Sequence, residues 1–93
     1  MLVMKADVAS VEILPNPNNG NFIVQMKLPD KTASTSLALY NSTGKKVWQY
    51  HAGKISGSIS KEVYLENKIL QGTYLLVISR SDVRLEEKII VNR

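Results

Sequence analysis

One run of ten residues constrains the fold most: Leu70-Gln71-Gly72-Thr73-Tyr74-Leu75-Leu76-Val77-Ile78-Ser79. From Tyr74 to Ile78 every side chain is apolar or aromatic. A strand covered on both faces reads this way, because both alternating sets of side chains meet apolar surroundings. The run is too short for an ordinary globular helix, and Gly72 ahead of it disfavours one. It predicts a central strand, with Tyr74, Leu76 and Ile78 on one face and Leu75 and Val77 on the other.

The flanking sequence supplies more of the same kind. Phe22, Val24, Met26 and Leu28 alternate with polar residues, which predicts a half-buried strand over Phe22–Leu28. Further strands are expected at Val8–Leu14, Thr35–Tyr40, Lys46–Tyr50, Ser58–Leu65 and Val83–Val91. The last competes with a helix, since Arg84–Lys88 is rich in helix formers. The β-branched Ile89-Ile90-Val91 and the lack of caps favour strand. Turn signals separate these runs at Pro29-Asp30-Lys31, Asn41-Ser42-Thr43-Gly44-Lys45, His51–Gly57 and Ser81-Asp82. Before Phe22 comes Pro15-Asn16-Pro17-Asn18-Asn19-Gly20-Asn21. Two prolines fix φ and remove two donors, and Asn19-Gly20 is a strong turn dipeptide, so this is a rigid loop. About seven short strands without a helix predict an all-β, antiparallel, immunoglobulin-like β-sandwich. Trp48 fits a core or sheet face better than a ligand platform.

Chemistry is sparse. The chain has no cysteine and one histidine, His51, so disulfide and zinc-thiolate chemistry are out and a metal centre is not expected. No Ser-His-Asp set is visible. Glu86 and Glu87 are adjacent on a strand and point to opposite faces, so they do not form a catalytic pair. Gly44-Lys45 lacks the earlier glycine of a phosphate loop, with Leu39 in its place. Asn41-Ser42-Thr43 fits a glycosylation acceptor. The formal charge of +4 is spread from Lys5 to Arg93 with one adjacent pair, Lys45-Lys46, rather than gathered in the stripe a nucleic acid requires. No apolar run approaches the roughly 20 residues of a membrane helix. Met1–Asp7 does not match a signal peptide, because its charges follow its apolar residues. No catalytic residue, cofactor, nucleic-acid partner or membrane insertion is expected. One reading of the aromatics is an immunoglobulin-like adhesion or carbohydrate-binding module with Trp48, Tyr50 and Tyr64 as a flat sugar platform.

Four stretches, in order, carry a resemblance. They are Pro15-Asn16-Pro17-Asn18-Asn19-Gly20, Leu39-Tyr40-Asn41-Ser42-Thr43-Gly44-Lys45, Leu70–Ile78 and Lys88-Ile89-Ile90-Val91-Asn92-Arg93. Together they resemble the C-terminal sorting domain of the type IX (Por) secretion system, type A, over residues 13–93. Residues 1–12 then read as the end of a linker with a possible first edge strand. The resemblance implies an address label on an exported cargo protein. It implies passage through the periplasm, recognition by the outer-membrane translocon and shuttle proteins, and cutting by a cell-surface sortase ahead of the domain; the segment before Ile13 carries no family motif, and the cut is expected between Lys5 and Val11. Cargo is then left at the cell surface or outside. The family's motif falls on Pro15, Asn16, Pro17, Gly44, Gly72, Tyr74, Lys88 and Arg93. Removing Val91–Arg93 is expected to abolish sorting and leave a folded domain.

Overall fold

A computed structural model describes residues 9–67 and 69–93. Five strands, β1 (Ser10–Leu14), β2 (Asn21–Tyr40), β3 (Lys46–Tyr64), β4 (Gly72–Arg80) and β5 (Val83–Val91), pair antiparallel in one sheet. The sheet curls on itself. Its first limb is β1, the start of β2 and the end of β3. Its second limb is the start of β3, the end of β2, β4 and β5. The far edges, β1 and β5, pack together.

The expectation of seven separate strands is corrected to five among the described residues. Phe22–Leu28 and Thr35–Tyr40 belong to one strand, and so do Lys46–Tyr50 and Ser58–Tyr64. The expected turns at Pro29–Lys31 and His51–Gly57 are a bend inside a long hairpin. Leu28 pairs with Gly57 and Ala33 with Ile55, so Pro29–Thr32 bulge out opposite the single residue Ser56. Pro29 is tolerated here because the ladder asks it for no N–H. The bulge also changes which positions are buried. Phe22, Val24, Met26 and Leu28 point inward before it; Thr35, Leu37 and Leu39 do so after it. The step from Leu28 to Thr35 is odd, and only a break in the pleat lets both face one core.

The core joins both limbs: Ile13, Phe22, Val24, Met26, Leu37, Leu39, Val63, Leu76, Ile78, Ile89 and Val91 are all among its members. Strand β4 is central, as expected, between β2 and β5. Its two-sided burial holds only in part. Tyr74, Leu76 and Ile78 face the core, and Val77 is covered on the outer face, but Leu75 is 37% exposed. At the open side, Lys61 lays its ammonium over the Tyr50 ring at 4.1 Å, and Tyr50 stacks on Trp48. The lysine stem thereby covers apolar surface where β3 has no further neighbour.

Arg80 holds the bend. Its side chain is fully buried on the core face of β4. Nη2 donates to the Lys31 carbonyl, Nη1 to the Ile55 carbonyl at 3.1 Å, and Nε to Asp82 at 2.7 Å. Both carbonyls belong to the bent stretch, so one side chain ties the middle of the hairpin to the β4–β5 turn. Burying a guanidinium is costly unless its donors are met.

Burial and charge set the expected stability effects. Leu76→Ala should cost about 3 kcal/mol, whereas Leu75→Ser one position away should cost less than about 1, read from denaturation midpoints. The Arg80 hydrogen bond holds the Asp82 carboxyl below its usual range. A depressed folded pKa gives stability that is present above the ordinary carboxylate value, about 3.9, and lost as pH falls through the lowered one. Asp82→Asn should therefore be less stable at neutral pH and lose less on acidification than the parent.

Candidate functional site

The loop between β1 and β2 runs beside the end of β5. Its prolines follow cis peptide bonds, Leu14–Pro15 and Asn16–Pro17. Neither proline has an N–H to satisfy, and the asparagines beside them make the polar contacts. The Asn16 carboxamide acts as one residue of a neighbouring strand: Nδ2 donates to the Lys88 carbonyl at 2.8 Å, and the Ile90 N–H donates to Oδ1 at 3.0 Å. Two residues on, the Asn18 backbone repeats the pattern. Its N–H donates to the Ile90 carbonyl at 2.9 Å, and the Asn92 N–H donates to its carbonyl at 2.6 Å, in a parallel bridge with Val91. Side chain and backbone thus form two successive parallel rungs on the outer edge of β5.

Asn18 is itself buried and braces the loop. Its Nδ2 donates to the Pro15 carbonyl at 3.1 Å, and its Oδ1 accepts from the Gly20 N–H at 2.9 Å. Gly20 sits at φ +105°, and a Cβ there would lie 2.6 Å from Arg93 Nη2. The backbone conformation calls for glycine, and a Cβ would push aside the flexible end of Arg93. The Gly20 carbonyl accepts from the Leu65 N–H at 2.8 Å. Arg93 crosses the same place: Nη2 donates to the Glu66 carbonyl at 3.0 Å and Nη1 to Asn67 Oδ1 at 3.3 Å. Three segments, residues 15–20, 65–67 and 88–93, therefore meet as one clasp.

The residues singled out from sequence fall mainly at this end. Pro15, Asn16 and Pro17 form the clasp, Lys88 supplies a carbonyl to it, and Arg93 closes it. Gly72 pairs with Val91 and Tyr74 with Ile89, so both flank the strand that is held. Gly72 has φ +155°, and a Cβ there would meet only Tyr74 Cε1 at 3.9 Å, so bulk is not what excludes a side chain. Tyr74 is buried in the core and donates its hydroxyl to the Leu70 carbonyl at 2.5 Å. Gly44 lies apart, in the β2–β3 turn at φ +88°. There Asn41 Oδ1 accepts from the Thr43 N–H and hydroxyl and from the Lys45 N–H. A groove of about 420 Å³ lies between that turn and Tyr74, lined by Asn41, Lys45, Lys46, Val47, Ile69 and Leu70.

Other chemistry is thin. Among the described residues no cluster of three or more histidine, cysteine, aspartate or glutamate side chains could hold a metal ion. Ser36 Oγ and His51 Nδ1 lie 3.0 Å apart as an exposed cross-strand pair. Sequence reading missed that pair, because a bulge sets their register. It missed Arg80 too, although an arginine closing the inward series Tyr74, Leu76, Ile78 was a usable signal. The rival sugar platform is not assembled: Trp48 and Tyr50 stack on the face they share with Leu39 and Leu37, whereas Tyr64, next to the inward-facing Val63, lies on the opposite face.

The clasp has a measurable cost of disruption. Asn16→Ala should lower stability by about 1 kcal/mol, since its bonds are exposed. Gly20→Ala should cost about 2 kcal/mol, from its φ and from displacing Arg93. In an Arg93→Ala background the Gly20→Ala penalty should shrink, and a double-mutant cycle on denaturation midpoints reads the difference.

Comparison with curated proteins gives no match. The model of a known family, the secretion system C-terminal sorting domain, matches residues 12–92. That match covers the clasp as far as Asn92, β1 from Glu12 onward and the other four strands whole. The chain belongs to this family, whose members are sorting signals for type IX secretion.

Proposed function

We propose that the folded domain is the address that the type IX machinery reads, and that the clasped end is where it is read. The partners are then the outer-membrane translocon, the shuttle proteins and a sortase, with an upstream cargo domain on the same polypeptide. The route is periplasm first, then cell surface or medium, with sortase cutting between Lys5 and Val11. Residues 5–8 of that stretch lie outside the described residues, and β1 begins at Ser10. The observation that carries the reading is convergence. Three of the four stretches that resemble the family meet around the end of β5, although they are far apart in sequence. The curled sheet supports an immunoglobulin-like sandwich in which two long bent strands take the place of four short ones.

A receptor reading this end meets backbone and side chains held in one arrangement, which lowers the ordering cost of recognition. Truncation is a poor test of it. Val91 is a core residue, 2% exposed, so removing Val91–Arg93 takes away packing as well as any signal. The expectation that such a truncation still folds does not suit a buried Val91. Point substitutions keep the core. A reporter carrying a signal peptide and this domain should reach the surface of a type IX-competent cell. Asn16→Ala with Arg93→Ala should cut delivery at a temperature where the purified double variant remains folded. Retention of the reporter in the periplasm with the parent domain would refute the sorting role, and normal delivery of the double variant would refute reading at the clasp.

A further inference from the structure

The outer face of the second limb is unevenly built. Register places Lys46, Tyr40, Leu75 and Lys88 in one row across β3, β2, β4 and β5. Residues directly opposite one another share a face, so Tyr40, Leu75 and Lys88 lie together on it, and Lys46 joins the row opposite Tyr40 across a bulge at Val47. Ile90 lies on the same face, diagonal to Leu75 and opposite Thr73. Leu75 is 37% and Ile90 41% exposed. The next row sets Gln49 and Glu86 on either side of Ala38 and the buried Val77, and the row after it, His51, Ser36, Ser79 and Arg84, is polar throughout. The exposed large apolar residues of this face, Leu75 and Ile90, therefore lie at the end that borders the clasp, where Asn16 holds Lys88 and Ile90.

Charge at the strip is uncompensated. Glu86 is two residues from Lys88 on the same face, yet its carboxylate is held by Arg84 at 2.9 Å. Neither Lys46 nor Lys88 is ion-paired among the described residues. With strands about 4.8 Å apart, the two lysine Cα positions stand roughly 14 Å from each other, with Tyr40 and Leu75 between them. Lys46 also borders the groove beside Tyr74, whereas Tyr40, Leu75, Lys88 and Ile90 do not. An apolar strip between two unpaired cations is complementary to a protein surface that carries an apolar side chain between carboxylates.

We infer that the row Lys46–Tyr40–Leu75–Lys88, with Ile90, is the docking face for an acidic protein of the sorting machinery. The inference rests on the sorting role and names the face and the partner chemistry within it. The apolar centre supplies the contact that excludes water, and the flanking lysines set orientation and approach. It also accounts for the apolar residue that the core leaves uncovered on β4: Leu75 serves a contact outside the domain.

The test uses the signal-peptide reporter fused to the whole chain. Lys46→Glu with Lys88→Glu, and separately Leu75→Ser, should lower surface delivery about tenfold or more. Lys46→Arg with Lys88→Arg should deliver normally. Lys27→Glu with Lys54→Glu, which reverses two exposed lysines elsewhere, should also deliver normally. Purified variants should keep the parent's denaturation midpoint to within a small shift. Normal delivery by the glutamate pair or by Leu75→Ser overturns the inference, as does an equal loss in the arginine pair or in the Lys27/Lys54 control. Failure of the parent domain to direct export overturns the sorting role, a distinct result. Vesicles of phosphatidylglycerol and phosphatidylethanolamine should not bind the purified domain. Binding that the glutamate pair abolishes would assign the face to lipid and overturn the protein partner.

Discussion

An edge strand presents unpaired N–H and C=O groups, and those groups invite pairing with whatever arrives. In this domain the outer edge of β5 is met from within the chain. Asn16 answers it with a side chain and Asn18 with its backbone, so the strand is held on its outer side from Lys88 to Asn92. Much else depends on this contact. The loop takes its shape from Asn18, which bonds Pro15 and Gly20. Gly20 leaves room for Arg93, and Arg93 reaches the carbonyls of Leu65 and Glu66. Ile13 of β1 and Ile89 and Val91 of β5 meet in one core because the two ends of the curled sheet are held together.

The other organising feature is the bend in the long β2–β3 hairpin. A straight pair of strands of this length would bury one face of each and leave its far half without a core. The bulge opposite Ser56 switches the buried positions and turns the hairpin back, so both halves share the same interior. Arg80 secures that turn from β4 through carbonyls on both hairpin strands. Asp82, held in its charged form by Arg80, anchors the guanidinium in turn. The two ends of the domain are therefore fastened by different chemistry, with amide pairing at the clasp and a charged fork at the bend.

Local pattern made the strands legible and left the long-range contacts hidden. The alternation of Phe22, Val24, Met26 and Leu28 identified inward residues, and so did the shifted alternation of Leu37 and Leu39. The β-branched Ile89-Ile90-Val91 correctly favoured strand over the helix formers of Arg84–Lys88. Pro29-Asp30-Lys31 misled because a turn and a bulge draw on the same residues; only pairing on either side tells them apart. Leu75 misled because an apolar residue reads as buried whether the core or a partner covers it. The Asn16 contact spans 72 positions and leaves no periodic trace. The resemblance gathered the residues of the clasp without showing that they touch. Asn18 and Gly20 lay in that loop, yet their bracing roles appear only when β5 is beside them.

A terminal strand locked into the fold should resist opening as strongly as the centre of the sheet. Amide hydrogen exchange of the purified domain measures this directly, because each amide reports the free energy needed to open its own bond. The Asn18, Ile90 and Asn92 amides should exchange with opening free energies close to those of Leu76 and Ile78 in the centre of β4. Exchange of Ile90 and Asn92 at the rate of an unstructured peptide, with Leu76 and Ile78 still protected, would contradict the lock.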